Sequence, residues 1–593
     1  FIWKTHYLFN HVFEAVRGWY TILLAWCLKH KTPVLCGFAI FVAGSLTLAR
    51  FVGQDFFPTV DSGQMRLHAR VPAGTRIEQT ETIFAAIENE IRSVVPQKEI
   101  GTIIDNIGVP NSSTNLAMGD TPTIGVSDGE ILISLKEGEH GSTADYTQQL
   151  RKRLHETFPE VTFFFEAANI TNQILNFGLP APIDLQVAGR DASVNYNIAR
   201  QLEDTISRIP GAADVHIHQV VDYPEIRLDV DRSKAGQVGL TQRDVANSVM
   251  ISLSGSGQIS PTQWLNWNNG VNYGVSVQTP QYRLNSLDAL LRTPITNGSG
   301  NVASSTSEDV IGNAPNRASL AYGNPGATST TAQMLANLAN VRRGIAPEIV
   351  NHYDVQPVFD IYANISRSDL GGVASRVEKI MADYSKKLPR GTSLDLRGQA
   401  QTMETSFYRL GLGMLFAVVL VYLLMAVNFQ SWLDPFIILM ALPGAMAGIV
   451  WMLFLTQTTF SVPSLMGAIM CVGVATANSI LMVVFANDQR IDEGMDAYSA
   501  ALSAGATRIR PVLMTAAAMI IGMLPMALGL GEGGEQNAPL GRAVIGGLLL
   551  ATVTTLFVVP MVYSALRSKP PVDFDRRLAE ERLGIDEAEV DPA

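Results

Sequence analysis

Apolar residues follow two different rhythms along this chain. Between residues 52 and 403 they switch between strand and helix periods at short intervals, as in a mixed α/β region. In Gln64–Val71, Met65, Leu67, Ala69 and Val71 alternate with Gln64, Arg66, His68 and Arg70. That two-residue period predicts a strand with one apolar face. Residues 76–95 change to helical spacing, with Ile77, Ile83, Phe84, Ile87 and Ile91 on one face and Pro96 closing the run. Strands are predicted near 100–107 and 129–135, then a helix at 143–157 and a strand at 160–166. The resulting βαββαβ order is the ferredoxin-like arrangement. It begins again with a strand at 182–188, a helix at 191–208 and strands at 213–219 and 225–230. A strand at 355–363, a helix at 371–387 and a strand at 393–398 complete it. The second unit is therefore interrupted by an insert, which opens with a helix at 241–252. The insert continues through Gly/Ser/Asn/Thr-rich sequence, of which 297–330 reads as exposed loop.

The other rhythm is the absence of charge. No ionisable residue lies between Thr32 and Ala49, and none within 410–433, 435–487, 511–531 or 543–566. At ~1.5 Å per residue the first run reaches ~27 Å, enough for a bilayer core. The long run 435–487 divides at Thr456–Ser461. Six spans follow, near 33–51, 411–428, 435–456, 462–486, 511–530 and 543–565, with no Asp, Glu, Lys or His expected inside any of them. The fold class is thus a multi-pass α-helical membrane protein, one span plus five, with a large extracytoplasmic α/β domain.

Basic residues set the orientation. Lys4, Arg17, Lys29 and Lys31 precede the first span; Arg490, Arg508 and Arg510 lie between the fourth and fifth; Arg567, Lys569, Arg576, Arg577 and Arg582 follow the sixth. Alternating crossings place all three groups on the cytoplasmic side and residues 52–403 outside. Arg542 is the one contrary residue. Composition agrees: of 593 residues only 16% are charged and 47% are apolar, with mean hydropathy +0.17. A net charge of −11 gives no nucleic-acid surface, and three cysteines exclude a disulfide framework.

FFPTVDSGQM (56–65), NFQSWLDPF (428–436), GVATANSILMVVFAND (473–488), TRIRPVLMT (507–515) and the run from Ala516 to Gly547 carry a family resemblance. The chain resembles the C-terminal half of a resistance–nodulation–division efflux transporter, of the acriflavine-resistance inner-membrane pump type. The resemblance implies a cytoplasmic linker at 1–31 and a span at 32–51. It implies porter subdomain 1 at 52–178 and porter subdomain 2 at 179–230 and 346–403, split by a docking insert at 231–345. A five-span bundle at 404–566 and a cytoplasmic tail at 567–593 complete the layout. It further implies an N-terminal half of the same pump, a homotrimer, a periplasmic adaptor, an outer-membrane channel, and a bacterial inner-membrane location with 52–403 in the periplasm.

The expected activity is secondary active export of small amphiphilic or hydrophobic compounds, driven by the proton gradient through alternating access, with no enzymatic chemistry and no cofactor. A protein-export auxiliary of the SecD/SecF type, or a membrane sensor or scaffold, are the alternative readings. The family's intramembrane lysine position is held by Ala477, so its ion pair does not carry over. Asn478, Thr515 and Arg508 match relay-region positions; helix packing and, for Arg508, a positive-inside anchor compete with that role. Phe163 and Phe165 share one strand face and match pocket-lining positions, while Phe164 is expected in the core. The 107–128 loop lacks the aromatics of the family's switch loop. His216 and His218 face the same way on a strand, but with no third ligand evident they read as exposed strand histidines and no metal site is expected.

Overall fold

The computed structural model describes residues 2–109, 123–138, 140–176, 178–259, 261–296, 332–530 and 533–567. The 297–330 loop, most of the 107–128 loop and the tail beyond Arg567 lie outside the described residues. Six helical segments are long and apolar enough to cross a membrane. The chain divides into two compact units, one comprising 1–220 and 349–593 and the other Val221–Glu348.

The first unit begins with α1 (Ile2–Lys29) and α2 (Lys31–Leu48). A four-stranded antiparallel sheet follows, built from β1 (Gln64–Arg70), β2 (Ile100–Ile107), β3 (Asp128–Leu135) and β4 (Thr162–Glu166) in the order β2-β3-β1-β4. Helices α3 (Ile77–Val94) and α4 (Thr143–Thr157) cover one face. Met65, Leu67 and Ala69 of β1 meet Phe84, Ile87 and Ile91 of α3 there, all buried. Fully burying each large side chain contributes roughly 1.5–3 kcal/mol.

A second antiparallel sheet is assembled from β5 (Ile183–Gly189), β6 (Ala212–Ile217), β7 (Asn351–Tyr353), β8 (Gln356–Ile365) and β9 (Thr392–Gly398). Its order is β7-β8-β5-β9, with β6 pairing the same edge of β8 as β7, further along the strand. The strand expected at 225–230 does not join it. Tyr223–Val230 pairs instead with Ala339–Ala346 inside the Val221–Glu348 unit, in register from Ala339↔Val230 to Ala346↔Tyr223. Alternation of Ile226, Leu228 and Val230 shows that a strand exists but cannot say which partner covers it.

The apolar helices are α5 (Gln399–Phe429), the broken pair α6 (Leu433–Leu439) and α7 (Leu442–Leu455), α8 (Val462–Asp492), α9 (Ala497–Ala527) and α10 (Ala538–Leu566). Helix α10 is the centre of the bundle: 78% of its apolar window is buried, against 6% for α2 and for α5. Small residues let it pack closely. A Cβ on Gly448 would sit 2.2 Å from the Gly546 carbonyl oxygen, and one on Gly444 2.0 Å from Thr554 Oγ1.

One sequence expectation is corrected here. Asp434 lies inside the apolar segment Leu433–Leu455 and is 1% exposed. The charge-free window begins one residue later, which put Asp434 outside the expected span. A buried carboxylate is tolerated because Arg567 Nη2 reaches it at 3.2 Å and Asn487 Nδ2 donates to it at 3.4 Å.

Candidate functional site

The alternation that sends Met65, Leu67 and Ala69 to the helices sends Arg66, His68 and Arg70 to the opposite face of the first sheet. That face is not solvated: Arg66 is 8% exposed and His68 fully buried. Cross-strand register adds carboxylates to it. Glu130 of β3 stands opposite His68, Asp128 opposite Arg70, and Glu166 of β4 opposite Arg66. Three cationic side chains thus face three carboxylates within the first sheet.

Arg66 is the hub. Its Nη2 lies 2.7 Å from Glu130 Oε1 and its Nε 3.0 Å from Glu166 Oε2. His68 bonds Asp128 Oδ1 through Nε2 and turns Nδ1 toward Glu166 Oε1, 3.3 Å away. Arg70 Nη2 reaches Asp128 Oδ2 at 3.2 Å, and its Nη1 donates to the His218 carbonyl at 3.0 Å. Burial alone would lower the His68 pKa, but the Asp128 charge and the hydrogen bonds to Asp128 and Glu166 push it up to about 9. Burial pulls the Asp128 pKa upward, and the His68 and Arg70 charges reverse this and hold it below the usual range.

His216 of β6 and His218 just past its end are also buried, at 5% and 6% exposure, which corrects the expectation of exposed strand histidines. The periodicity identified their shared face but not the β4 edge that meets it. Phe164 stacks between His68 and His216, with ring centroids 4.2 and 3.9 Å away. Burial, then the Arg70 charge, pushes His216 down to about 3 and His218 down to about 4.

One triad has metal-ligating composition: the donor atoms of His68, Glu130 and Glu166 lie within 4.8 Å of one another. Two cavities reach this region. A cleft of about 1000 Å³ is lined by Phe57, Asp61, Arg66, Asp145, Phe165 and Glu166, among others. A second, of about 470 Å³, is lined by Arg66, Ile104, Glu130 and Leu132, among others. Arg66 lines both.

Of the aromatic pair singled out from sequence, Phe165 lines the larger cleft while packing on the helix-side core. Phe163 packs on that core and meets Phe158 edge-on at 6.3 Å. In the bundle, Thr515 Oγ1 donates to Asn478 Oδ1 at 3.1 Å, so these two residues do meet. Arg508 stands apart, its guanidinium 4.5 Å above the Phe485 ring. Ala477 is exposed on the same side of α8 as Gly473 and Leu481. The sequence did not single out Arg66, Glu130 or Glu166. The polar half of the 64–71 alternation was their only signal, and it is the same for a solvated face.

Six apolar helical segments carrying a soluble α/β region between the first and second define a multi-pass membrane protein with a large extramembrane domain. The chain belongs to the AcrB/AcrD/AcrF family of resistance–nodulation–division proteins, whose model matches residues 4–567. It is 25% identical over 575 residues to the cobalt-zinc-cadmium resistance protein CzcA of Cupriavidus metallidurans, covering 94% of this chain and 49% of that one. It is 24% identical over 574 residues to the multidrug resistance protein MdtC of Klebsiella pneumoniae, again 94% and 49%. A crystal structure of a heavy metal efflux pump superposes with a TM-score of 0.77 at 22% identity, covering 94% of this chain and 52% of that one. The chain spans about half the length of the curated relatives it matches.

Proposed function

We propose that this chain supplies one half of an efflux pump and that its substrate is a small cation, a divalent metal ion first among them. The observation that carries the cation reading is the His68–Glu130–Glu166 triad, buried beside two cavities. Carboxylate and imidazole donors suit borderline divalent metals, and they hold no apolar molecule. A relative named for cobalt, zinc and cadmium resistance agrees with this. The expected amphiphilic substrate becomes the second reading, supported by Phe165 in the cleft wall and by the multidrug relative.

The rest of the layout follows the family. The two sheets with their helices are ferredoxin-like porter units, and the Val221–Glu348 unit is the docking insert. The soluble region lies in the periplasm, the bundle in the inner membrane. The exposed stripe of Gly473, Ala477 and Leu481 on α8 is where the other half of the pump packs. Alternating access of the porter units, driven by protons, moves the cation toward an adaptor and an outer-membrane channel in a trimeric assembly. The Thr515–Asn478 hydrogen bond serves as a neutral relay element and Arg508 as its cytoplasmic neighbour. Phe163 supports Phe165 in the pocket wall.

The test is transport. The assembled pump, reconstituted in vesicles holding a zinc-responsive dye and given a pH gradient, is expected to move Zn²⁺ or Co²⁺. Movement of amphiphilic dyes but of neither metal would replace the first reading with the second. Transport indifferent to the gradient would reject proton coupling.

A further inference from the structure

We propose that the Arg66 guanidinium is a tethered stand-in for the transported cation: it occupies the Glu130–Glu166–His68 group at rest and is displaced when a divalent cation binds. This rests on the cation reading above.

The geometry is that of a cation site held by the guanidinium. Arg66 bridges carboxylates from the two strands that flank its own, Glu130 at 2.7 Å and Glu166 at 3.0 Å. Two donor atoms in the same group are not engaged by the guanidinium. Glu166 Oε1 and His68 Nδ1 are buried, with side chains 3% and 0% exposed, and pair only with each other, 3.3 Å apart. The guanidinium engages the other carboxylate oxygen of Glu166 and cannot serve these two. A metal ion, accepting donors from any direction, can take both together with Glu130. His68 is already oriented for it: Nε2 is held by Asp128, the carboxylate–histidine arrangement that fixes a ligand ring.

Arg66 also has somewhere to go. It lines both cavities, and the larger presents Asp61 and Asp145 in its wall. Exchange keeps the carboxylates paired throughout, which matters because uncompensated buried charges are costly. A site that held only Glu130, Glu166 and His68 would bind a divalent ion tightly and release it slowly. Return of Arg66 lowers the affinity and lets the ion leave, which a pump requires. Arg66 therefore sets the affinity and selects against monovalent ions, which gain too little to displace a guanidinium bonded to two carboxylates.

The experiment is titration of the full-length protein in detergent with ZnCl₂ by calorimetry, comparing wild type, Arg66→Gln, Arg66→Lys and His68→Ala. Arg66→Gln is expected to tighten Zn²⁺ binding about tenfold or more, Arg66→Lys by less, and His68→Ala to abolish it. Methylguanidinium chloride is expected to compete with Zn²⁺ in Arg66→Gln and to have no effect on wild type, a readout that needs the folded site. If wild type and Arg66→Gln bind Zn²⁺ equally and His68→Ala does not, the exchange is overturned while the cation reading survives. If neither wild type nor Arg66→Gln binds Zn²⁺ or Co²⁺, both fall.

Discussion

Acidification should loosen the contact between the two sheets through His216 and His218, and the size of the effect can be worked out. His216 on β6 and His218 just past its end are both buried, one stacked on Phe164 and both beside Arg70, whose charge opposes theirs. Their folded pKa values, about 3 and about 4, lie below the ordinary 6.5. Below pH 6.5 the unfolded chain binds protons that the folded chain refuses. The stability these histidines contribute is therefore present above that pH and lost as pH falls toward the folded values. Between pH 7 and pH 5 the loss is about 2 kcal/mol for each histidine. His68 works in the opposite sense: its contribution is full below 6.5 and is lost as pH rises through about 9. Asp105, pushed up to about 7 by burial and then by its Glu88 neighbour, also favours the acid side.

A wild-type pH curve would mix these effects, so the measurement is a difference. The His216→Phe, His218→Gln double variant keeps an aromatic ring against Phe164 and removes both titrations, and groups that do not interact with these histidines cancel in the comparison. Hydrogen exchange of β6 and β8 amides, corrected for the intrinsic pH effect, reports the opening free energy at each pH. Wild type is expected to lose about 4 kcal/mol more than the variant between pH 7 and pH 5. Identical pH dependence in the two proteins would refute the reasoning and show that β6 opens to solvent in the folded state.

Three further outcomes can be checked. Asp434→Ala leaves the Arg567 and Asn487 groups without their buried partner and should cost about 3–5 kcal/mol in detergent unfolding assays, with Asp434→Asn recovering part of it through Asn487. Gly448→Val drives a side chain into the Gly546 carbonyl and should cost about 1–3 kcal/mol, visible as a lower melting temperature; the exposed Gly473→Val should be silent there. Asp369→Ala removes the cap of the helix Leu370–Ser385, where Oδ2 accepts from Gly372 N–H and Gln54 N–H at 2.9 Å each. It should destabilise that helix by about 0.5–2 kcal/mol, read as faster amide exchange over its first turn.

The first sheet was legible almost residue by residue. The 64–71 alternation, the helix over 76–95 and the strands near 100–107 and 129–135 appear as Gln64–Arg70, Ile77–Val94, Ile100–Ile107 and Asp128–Leu135. The spans were legible for the same reason, since a run of uncharged residues is itself the physical requirement of a bilayer core. Misplacing Asp434 shows the limit: one paired charge at the end of an apolar run is tolerated. The strand at Tyr223–Val230 shows another, because period and composition do not name a partner.

The candidate site was the least legible part. Periodicity assigns Arg66, His68 and Arg70 to one face and His216 and His218 to another, and the sequence determines that much by backbone geometry alone. Whether a polar face meets water or a second charged face depends on residues far away in the chain. Glu130 is 64 residues from Arg66, and His216 reaches Phe164 only because the β6 edge meets β4. Burial then changes what those groups are. The same imidazole type is held charged beside Asp128 at His68 and neutral beside Arg70 at His216. Sequence fixes which side chains share a face; only tertiary contact supplies the local dielectric and the neighbouring charges that decide their chemistry.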